Sequence, residues 1–233
     1  MEFVNRTAGL FNSMDGRDKF CKSIQYLSRL IVYGTKDSNP EVAARFDKTF
    51  KAMADARKLF RLFKWVNEYQ KIVDMLNKPE LGWDEIDLII NILSRLGFVM
   101  FWAFDNLFIL SKIAFIKGDT EKFKKGAMLG WWLGLTWNLL YSLKQLKKLS
   151  KEFHGLKISA NNSSNKEAFN ARFKQVSENQ NKHYRLIIKC LGDWIVSGTG
   201  CGLWQKVGLN FNEGVLALGG SVSGVISTWE SFK

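Results

Sequence analysis

The sequence predicts an all-α, membrane-associated helical bundle, with N-terminal amphipathic helices and one to three weakly hydrophobic membrane helices. Its 233 residues include only 2 Pro, and so little proline favours long helices. Apolar residues recur at helical spacing through residues 1–76. Uncharged stretches then occur at 126–143 and 214–229. They are near or slightly below the length that a helix needs to cross a bilayer, about 20 residues.

The composition indicates an anionic partner. Lys and Arg number 34 against 22 Asp and Glu, a net charge of +12, and there are 18 Phe and 9 Trp. A basic, aromatic-rich chain binds nucleic acid or a lipid surface. The basic segments alternate with long apolar runs and contain no known nucleic-acid-binding motif, so we expect lipid and no nucleic acid. Contents of 46% hydrophobic and 24% charged residues exclude a disordered chain.

Motifs for metal, cofactor or catalytic sites are missing. The three Cys are scattered without a C-x-x-C pair, and the two His match no ligand spacing. The sequence contains no H-E-x-x-H, G-x-S-x-G, phosphate loop or dinucleotide fingerprint. We therefore expect no cofactor, no metal and no enzymatic activity. The N-terminus lacks a long apolar segment and does not resemble a secretory signal.

Two amphipathic regions precede residue 80. Residues 1–34 predict helix because Phe20, Ile24, Leu27 and Ile31 recur on one face, with Gly34 at the end. Asn39–Pro40 then predicts a new helix, with Asn as cap and Pro in the first turn.

The apolar stripe of residues 41–76 changes side near Lys58. Its first part contains Val42, Phe46, Phe50, Met53 and Phe60. The second part lies on roughly the opposite side. Such a helix is either sandwiched between two surfaces or broken near Lys58. Large Phe side chains beside basic residues are typical of a helix in a membrane interface, but an ordinary helix packed on a protein core remains open.

The apolar run from Ile86 to Ile116 contains Arg95, Asp105 and Asn106. It predicts a buried helix or a membrane helix whose polar residues face protein or water, since ionised groups in a bilayer cost roughly 3 kcal/mol each. Arg95 and Asp105 are ten residues apart, about 15 Å along a helix, so each needs a different partner.

Residues 126–143 are the strongest candidate for a membrane span, with a buried helix as the alternative. Lysines flank both ends, and a glycine at every fourth position predicts close helix packing. A second pair of small residues lies near the C-terminus. The predicted packing glycines are Gly126, Gly130, Gly134, Gly220 and Gly224.

The chain divides into four regions. Residues 1–80 are amphipathic, 81–143 apolar, 144–189 a basic connector and helix, and 190–233 Gly-rich. The connector holds eleven Lys/Arg and three Glu, a pattern that suits anionic headgroups or a solvated face. Residues 161–165 (NNSSN) predict a loop.

An ordered set of segments resembles the peroxisomal membrane protein 11 family. These segments are DGRDKFCKSIQYLSRL (15–30), ARFDKTFKAMADARKLFRLFKW (44–65), GFVMFWAFDNLFILSKI (97–113), WWLGLTWNLL (131–140) and CGLWQKVGLN with GVLALGGSVSG (201–224). The resemblance implies an integral protein of the peroxisomal membrane that elongates the organelle before fission and promotes its proliferation. It also implies self-association and cooperation with the fission machinery.

The resemblance favours the interfacial interpretation of residues 41–64. The predicted membrane-inserting residues are Val42, Phe46, Phe50, Met53 and Phe60. The predicted ligands of anionic lipid headgroups are Arg45, Lys48, Lys51, Arg57, Lys58, Arg61 and Lys64. An alternative function is a pore or solute channel lined by the polar residues Arg95, Asp105 and Asn106. We expect two spans (126–143 and 205–229), three with 88–112, or a partly embedded bundle.

Overall fold

The computed structural model describes residues 1–159 and 166–232, and every regular element in these ranges is a helix. The helices are α1 (Glu2–Asn12), α2 (Met14–Thr35), α3 (Pro40–Phe60), α4 (Lys64–Asn77), α5 (Glu85–Lys112), α6 (Thr120–Ser159), α7 (Lys166–Gly200), α8 (Leu203–Lys206) and α9 (Glu213–Phe232). The predicted all-α fold class is confirmed. The predicted loop at residues 161–165 lies outside the described residues.

Local sequence signals account for several helix ends. The Asn39 side chain accepts a hydrogen bond from the Val42 amide, and Pro40 occupies the first turn, which confirms the predicted start of α3. Asp84 and Asp87 form a reciprocal capping box at the start of α5. Carboxylates there also complement the positive end of the helix dipole.

The amphipathic region breaks where the apolar stripe changes side. Helix α3 ends at Phe60 and α4 begins at Lys64, with Phe63 between them in a left-handed conformation (φ 58°). Of the two alternatives for this region, a sandwiched helix or a break near Lys58, the structure has the break. Each segment can then turn its own apolar face to a different neighbour.

Seven helices form a ring around a central cavity. Going around it, α3 packs on α2, α2 on α9, α9 on α7, α7 on α6, α6 on α5 and α5 on α4. The short link between α3 and α4 closes the circle, and α1 packs outside against α2 and α9. The helices α6 and α7 run through residues 143 and 189, so the structure shows no break at these region boundaries.

The ring buries many polar residues and exposes many apolar ones. In the described ranges, seventeen polar or charged residues are buried against thirteen apolar ones. Large apolar side chains are exposed on α4, α5, α7 and α9. The exposed apolar residues are ordinary for a folded protein, whereas so many buried polar groups are unusual for a water-soluble domain.

One helix in the described part of the chain, α5 (Glu85–Lys112), is long and apolar enough to cross a membrane. This is one span, within the predicted range of one to three, but it differs from the favoured candidate at 126–143. That stretch lies in α6, where Trp, Gly and Asn lower its mean hydropathy. A stretch without charged residues is therefore not necessarily apolar enough to span a membrane.

Candidate functional site

The centre of the ring holds a partly open cavity of about 1420 Å³. All seven helices of the ring contribute to its wall. Among the described residues, thirteen Lys and Arg side chains line it against seven Asp and Glu, an excess of six positive charges. The cavity is therefore a basic compartment inside an apolar shell, and most of its charged groups form specific pairs.

A buried lysine joins three helices on one side of the cavity. Lys22 Nζ on α2 donates to both carboxylate oxygens of Asp193 on α7 at 2.8 Å. It also donates to Ser223 Oγ on α9 at 2.7 Å. Both charged residues are less than a tenth exposed. Since a buried charge without a partner is costly, this triad fixes how α2, α7 and α9 meet.

A second ion pair joins α2 to α3. Arg57 Nε donates to Asp18 Oδ1 at 2.8 Å, and Arg57 Nη1 donates to Gln25 Oε1 at 2.8 Å. Lys64 lies 3.7 Å from the other Asp18 oxygen. Burial alone would raise the pKa of Asp18, but the charges of Arg57 and Lys64 outweigh it and hold this pKa below its ordinary value.

The Asp105–Asn106 pair of α5 organises the break between α3 and α4. Asn106 Oδ1 accepts from the Phe63 amide at 2.8 Å, and its Nδ2 donates to the Arg61 carbonyl at 3.3 Å. Asp105 Oδ1 lies 3.2 Å from Arg61 Nη2. The two polar residues of α5 thus bind the backbone and side chain of the segment that interrupts the amphipathic region.

Arg95 finds its partner on α4. Its Nη1 donates to Glu68 Oε2 at 2.9 Å, and Lys71 donates to the other Glu68 oxygen at 2.6 Å. Arg95 and Asp105 therefore bind different residues, as their separation along α5 requires. Both partners, Glu68 and Arg61, come from the segment that follows α3.

The predicted insertion face of α3 is turned toward α2. All five residues are half-buried, and the Arg29 guanidinium carbon lies 5.8 Å from the centre of the Phe50 ring. Insertion of this face into lipid stays a prediction, and it requires α3 to move away from α2. The five residues concerned are Val42, Phe46, Phe50, Met53 and Phe60.

The seven predicted headgroup ligands divide into two groups. Arg45, Lys48 and Lys51 are exposed on α3. The remaining four line the cavity, namely Arg57, Lys58, Arg61 and Lys64. In this arrangement the latter group faces carboxylates such as Asp18 and Asp105. Lys51 is exposed and also lines the cavity, so only Arg45 and Lys48 lie away from it.

The predicted packing glycines all lie at close contacts between helices of one chain. A Cβ on Gly130 would lie 2.6 Å from the Phe101 backbone nitrogen, and one on Gly134 would lie 3.0 Å from the Phe98 ring. One on Gly126 would lie 2.8 Å from the Phe104 ring. These three positions join α6 to α5.

The C-terminal glycines join α9 to α2. A Cβ on Gly220 would lie 2.1 Å from the Tyr26 ring, and one on Gly224 would lie 3.0 Å from the Ser23 Cα. The glycine ridges thus pack against helices of the same chain. The approach of Gly192 to Gly219, between α7 and α9, was not predicted.

The sequence also failed to identify four charged residues of the cavity as site residues. They are Asp18, Lys22, Glu68 and Asp193. The detectable signal is a single charge inside an apolar run, which is clearest for Asp193 in the segment CLGDWIV. No group of three or more His, Cys, Asp or Glu able to hold a metal ion occurs in residues 1–159 and 166–232.

A model of one family, described as Peroxisomal biogenesis factor 11 (PEX11), matches residues 4–232. This chain belongs to the PEX11 family. Peroxisomal membrane protein 11 homolog of Dictyostelium discoideum is 24% identical, across 98% of this chain and 94% of the relative. Peroxisomal membrane protein 11-1 of Oryza sativa subsp. japonica is 25% identical, across 94% of this chain and 87% of the relative. No solved structure matches.

A third relative, peroxisomal membrane protein 11B of Arabidopsis thaliana, is 27% identical across 68% of this chain and 74% of its own length. The predicted family and the predicted peroxisomal membrane location are confirmed. The PEX11 family is a membrane biogenesis family rather than a known enzyme family.

Proposed function

We propose that this PEX11 protein remodels the peroxisomal membrane, elongating it before fission and so promoting peroxisome proliferation. The proposal rests on one observation above all. Helix α4 carries an exposed apolar face at helical spacing, formed by Val66, Tyr69 and Leu76, and Phe63 is exposed just before the helix begins. Such a face inserts about 5–10 Å into the boundary between headgroups and acyl chains.

The position of α4 makes it a wedge. Helix α4 packs along α5, the candidate span, which also exposes Ile86, Ile89 and Leu96. Apolar surface on α4 beside a spanning helix enlarges the area of one leaflet near that helix. This favours positive curvature. The structure thus supports insertion through α4, whereas the sequence indicated α3.

Anionic lipids, other copies of the chain and the peroxisome fission machinery are the proposed partners. The exposed Arg45, Lys48 and Lys51 would hold headgroups, each worth about 1 kcal/mol near a surface. Because the glycine ridges are occupied within the chain, copies would associate through outer residues. Concentrating several wedges in one place would increase the curvature.

The test is tubulation and flotation of anionic liposomes by the full chain. We expect Val66→Glu/Tyr69→Glu to abolish both, because moving two carboxylates from water into the acyl-chain region is costly. Asn67→Glu/Gln70→Glu adds the same charge to the polar side of α4 and is the matched control. Circular dichroism establishes that each variant is folded.

A third variant, Phe46→Glu/Phe50→Glu, distinguishes insertion through α3 from insertion through α4. If it loses tubulation while folded and the α4 variant does not, insertion occurs through α3, as the sequence indicates. If all variants remodel liposomes like the unmodified chain, insertion of an amphipathic helix is not the mechanism.

The second candidate function is a pore, and the charged cavity of about 1420 Å³ favours it. Ionisable side chains within membrane helices commonly line water-filled paths. The full chain in planar bilayers would then conduct, and Asp105→Ala would change the conductance by leaving Arg61 without its carboxylate. A chain without conductance in any orientation contradicts this function.

A further inference from the structure

The positive charge of the cavity is concentrated where α3, α5 and α6 meet. Lys58, Lys112 and Lys124 come from these three helices and line one part of the wall. The positive charges of Lys58 and Lys112 act on each other and are mutually unfavourable. Like charges held together in this way are stabilised by an anion between them.

Carboxylates neutralise this cluster only in part. Asp55 forms an ion pair with Lys58, and Lys124 lies 3.4 Å from Glu121 one turn away. Within the described ranges, Lys112 forms no ion pair with a carboxylate, and it is an exposed residue. The charge at this mouth of the cavity is therefore in excess, whereas Lys22, Arg57 and Arg95 are paired.

Two unsatisfied atoms lie beside the lysine cluster. Among the described residues, Arg61 Nε and Asp105 Oδ2 are buried without a hydrogen-bond partner, and Asp105 is only 3% exposed. Lys58 and Arg61 lie one turn apart at the end of α3, Asp105 and Lys112 lie two turns apart on α5, and all four line the cavity, which places the cluster and this pair in one region. The unsatisfied atoms are one donor and one acceptor.

This combination selects a class of ligand. The Arg61 guanidinium presents a planar set of donors that fits an oxyanion, while Asp105 Oδ2 accepts a proton from the same ligand. A monoprotonated phosphate carries both an acceptor oxygen and a P–OH donor. Sulfate and phosphodiesters are anions without that donor at neutral pH, so Asp105 repels them.

We propose that the cavity binds a phosphate or phosphomonoester through Arg61 and Asp105, with Lys58 and Lys112 supplying the compensating charge. The ligand is either free in solution or the headgroup of a phosphomonoester lipid. This site does not depend on membrane remodelling or on conductance. A direct binding measurement tests it without either activity.

The experiment uses the full chain in nanodiscs of phosphatidylcholine and measures binding of radiolabelled inorganic phosphate by equilibrium dialysis, with sulfate as competitor. A second arm offers mixed micelles holding either phosphatidic acid or phosphatidylglycerol and measures the lipid that stays bound. Phosphatidic acid is a monoester and phosphatidylglycerol a diester. Binding of inorganic phosphate identifies a soluble ligand, and selective retention of phosphatidic acid identifies a lipid ligand.

Lys112→Gln is the principal variant, because no carboxylate of residues 1–159 and 166–232 forms an ion pair with this exposed side chain. We expect it to weaken binding at least about tenfold, the loss of one charge-assisted hydrogen bond. Lys117→Gln, an exposed lysine five residues further on, removes the same charge and should leave binding unchanged. Arg61→Gln should abolish binding, with circular dichroism reporting whether the chain folds.

Three results overturn the proposal. The first is no binding of phosphate and no selective retention of phosphatidic acid. The second is equal weakening by Lys117→Gln and Lys112→Gln, which shows attraction by net charge alone. The third is that sulfate competes as well as phosphate and phosphatidylglycerol is retained as well as phosphatidic acid, which excludes the role of Asp105.

Discussion

Lys22 and Asp193 are 171 positions apart in the chain, and their side chains meet inside the ring with both Nζ–O distances at 2.8 Å. Ser223 of α9 accepts a third hydrogen bond from the same ammonium group. One lysine thus uses all three of its donors to join the N-terminal and C-terminal parts of the fold.

Removing one partner of this pair should destabilise the fold strongly. We expect Lys22→Met to lower the free energy of unfolding by about 3–5 kcal/mol, because Asp193 stays buried without a counter-charge. The double variant Lys22→Met/Asp193→Leu should recover much of the loss. Chemical unfolding in detergent, followed by circular dichroism, provides the comparison. A double variant less stable than Lys22→Met alone would contradict this account.

Asn106 should control the stability of the junction between α3 and α4. Asn106→Ala leaves the Phe63 amide without its acceptor, at a cost of about 1–3 kcal/mol. We expect faster hydrogen exchange in residues 60–66, measured by mass spectrometry. Asn67→Ala, on the exposed side of α4, is the control. If residues 60–66 exchange hydrogen equally slowly in the unmodified chain, Asn106→Ala and Asn67→Ala, then Asn106 does not hold the junction.

Gly130 should tolerate no side chain. Its Cβ would lie 2.6 Å from the Phe101 backbone nitrogen, so Gly130→Ala should cost about 1–3 kcal/mol as α5 and α6 are forced apart. Gly9→Ala is a sharp control, since nothing lies within 4 Å of a Cβ there. Alanine at that helical position should instead stabilise by up to about 1 kcal/mol. Thermal unfolding distinguishes the opposite signs.

Acid should weaken the contact between α2 and α3. The pKa of Asp18 is held below its ordinary value, because the charges of Arg57 and Lys64 outweigh the effect of burial. A carboxyl with a lowered folded pKa stabilises fully above its unfolded pKa, about 3.9. That stability is lost as the pH falls through the lower folded pKa.

The measurement is the free energy of unfolding between about pH 6 and pH 2. Asp18→Asn should be less stable at pH 6 and lose less on acidification. Asp37→Asn, on the exposed turn between α2 and α3, should follow the unmodified chain. If the free energy of unfolding of Asp18→Asn falls just as steeply on acidification, other carboxyls cause the pH dependence.

Sequence patterns identified the helices and the break well because these features are local. Asn39–Pro40, the change of stripe near Lys58 and the glycine spacing of α6 each depend on neighbouring residues. The direction of a helical face depends on distant partners. Phe50 contacts α2 and Arg57 contacts Asp18, although the amphipathic pattern to which both belong also fits a helix on a membrane surface. Pairs such as Lys22 with Asp193 leave no periodic signal.

The order of the helices around the ring sets a condition on biosynthesis. Helix α2 meets α3 early in translation, but its other neighbour is α9, which begins at Glu213. Until α9 has left the ribosome, the ring stays open and its charged lining faces solvent or lipid. Burying those charges one helix at a time in a bilayer would be costly. The ring can therefore close only when its last helix is available, so its buried charge pairs form together and late.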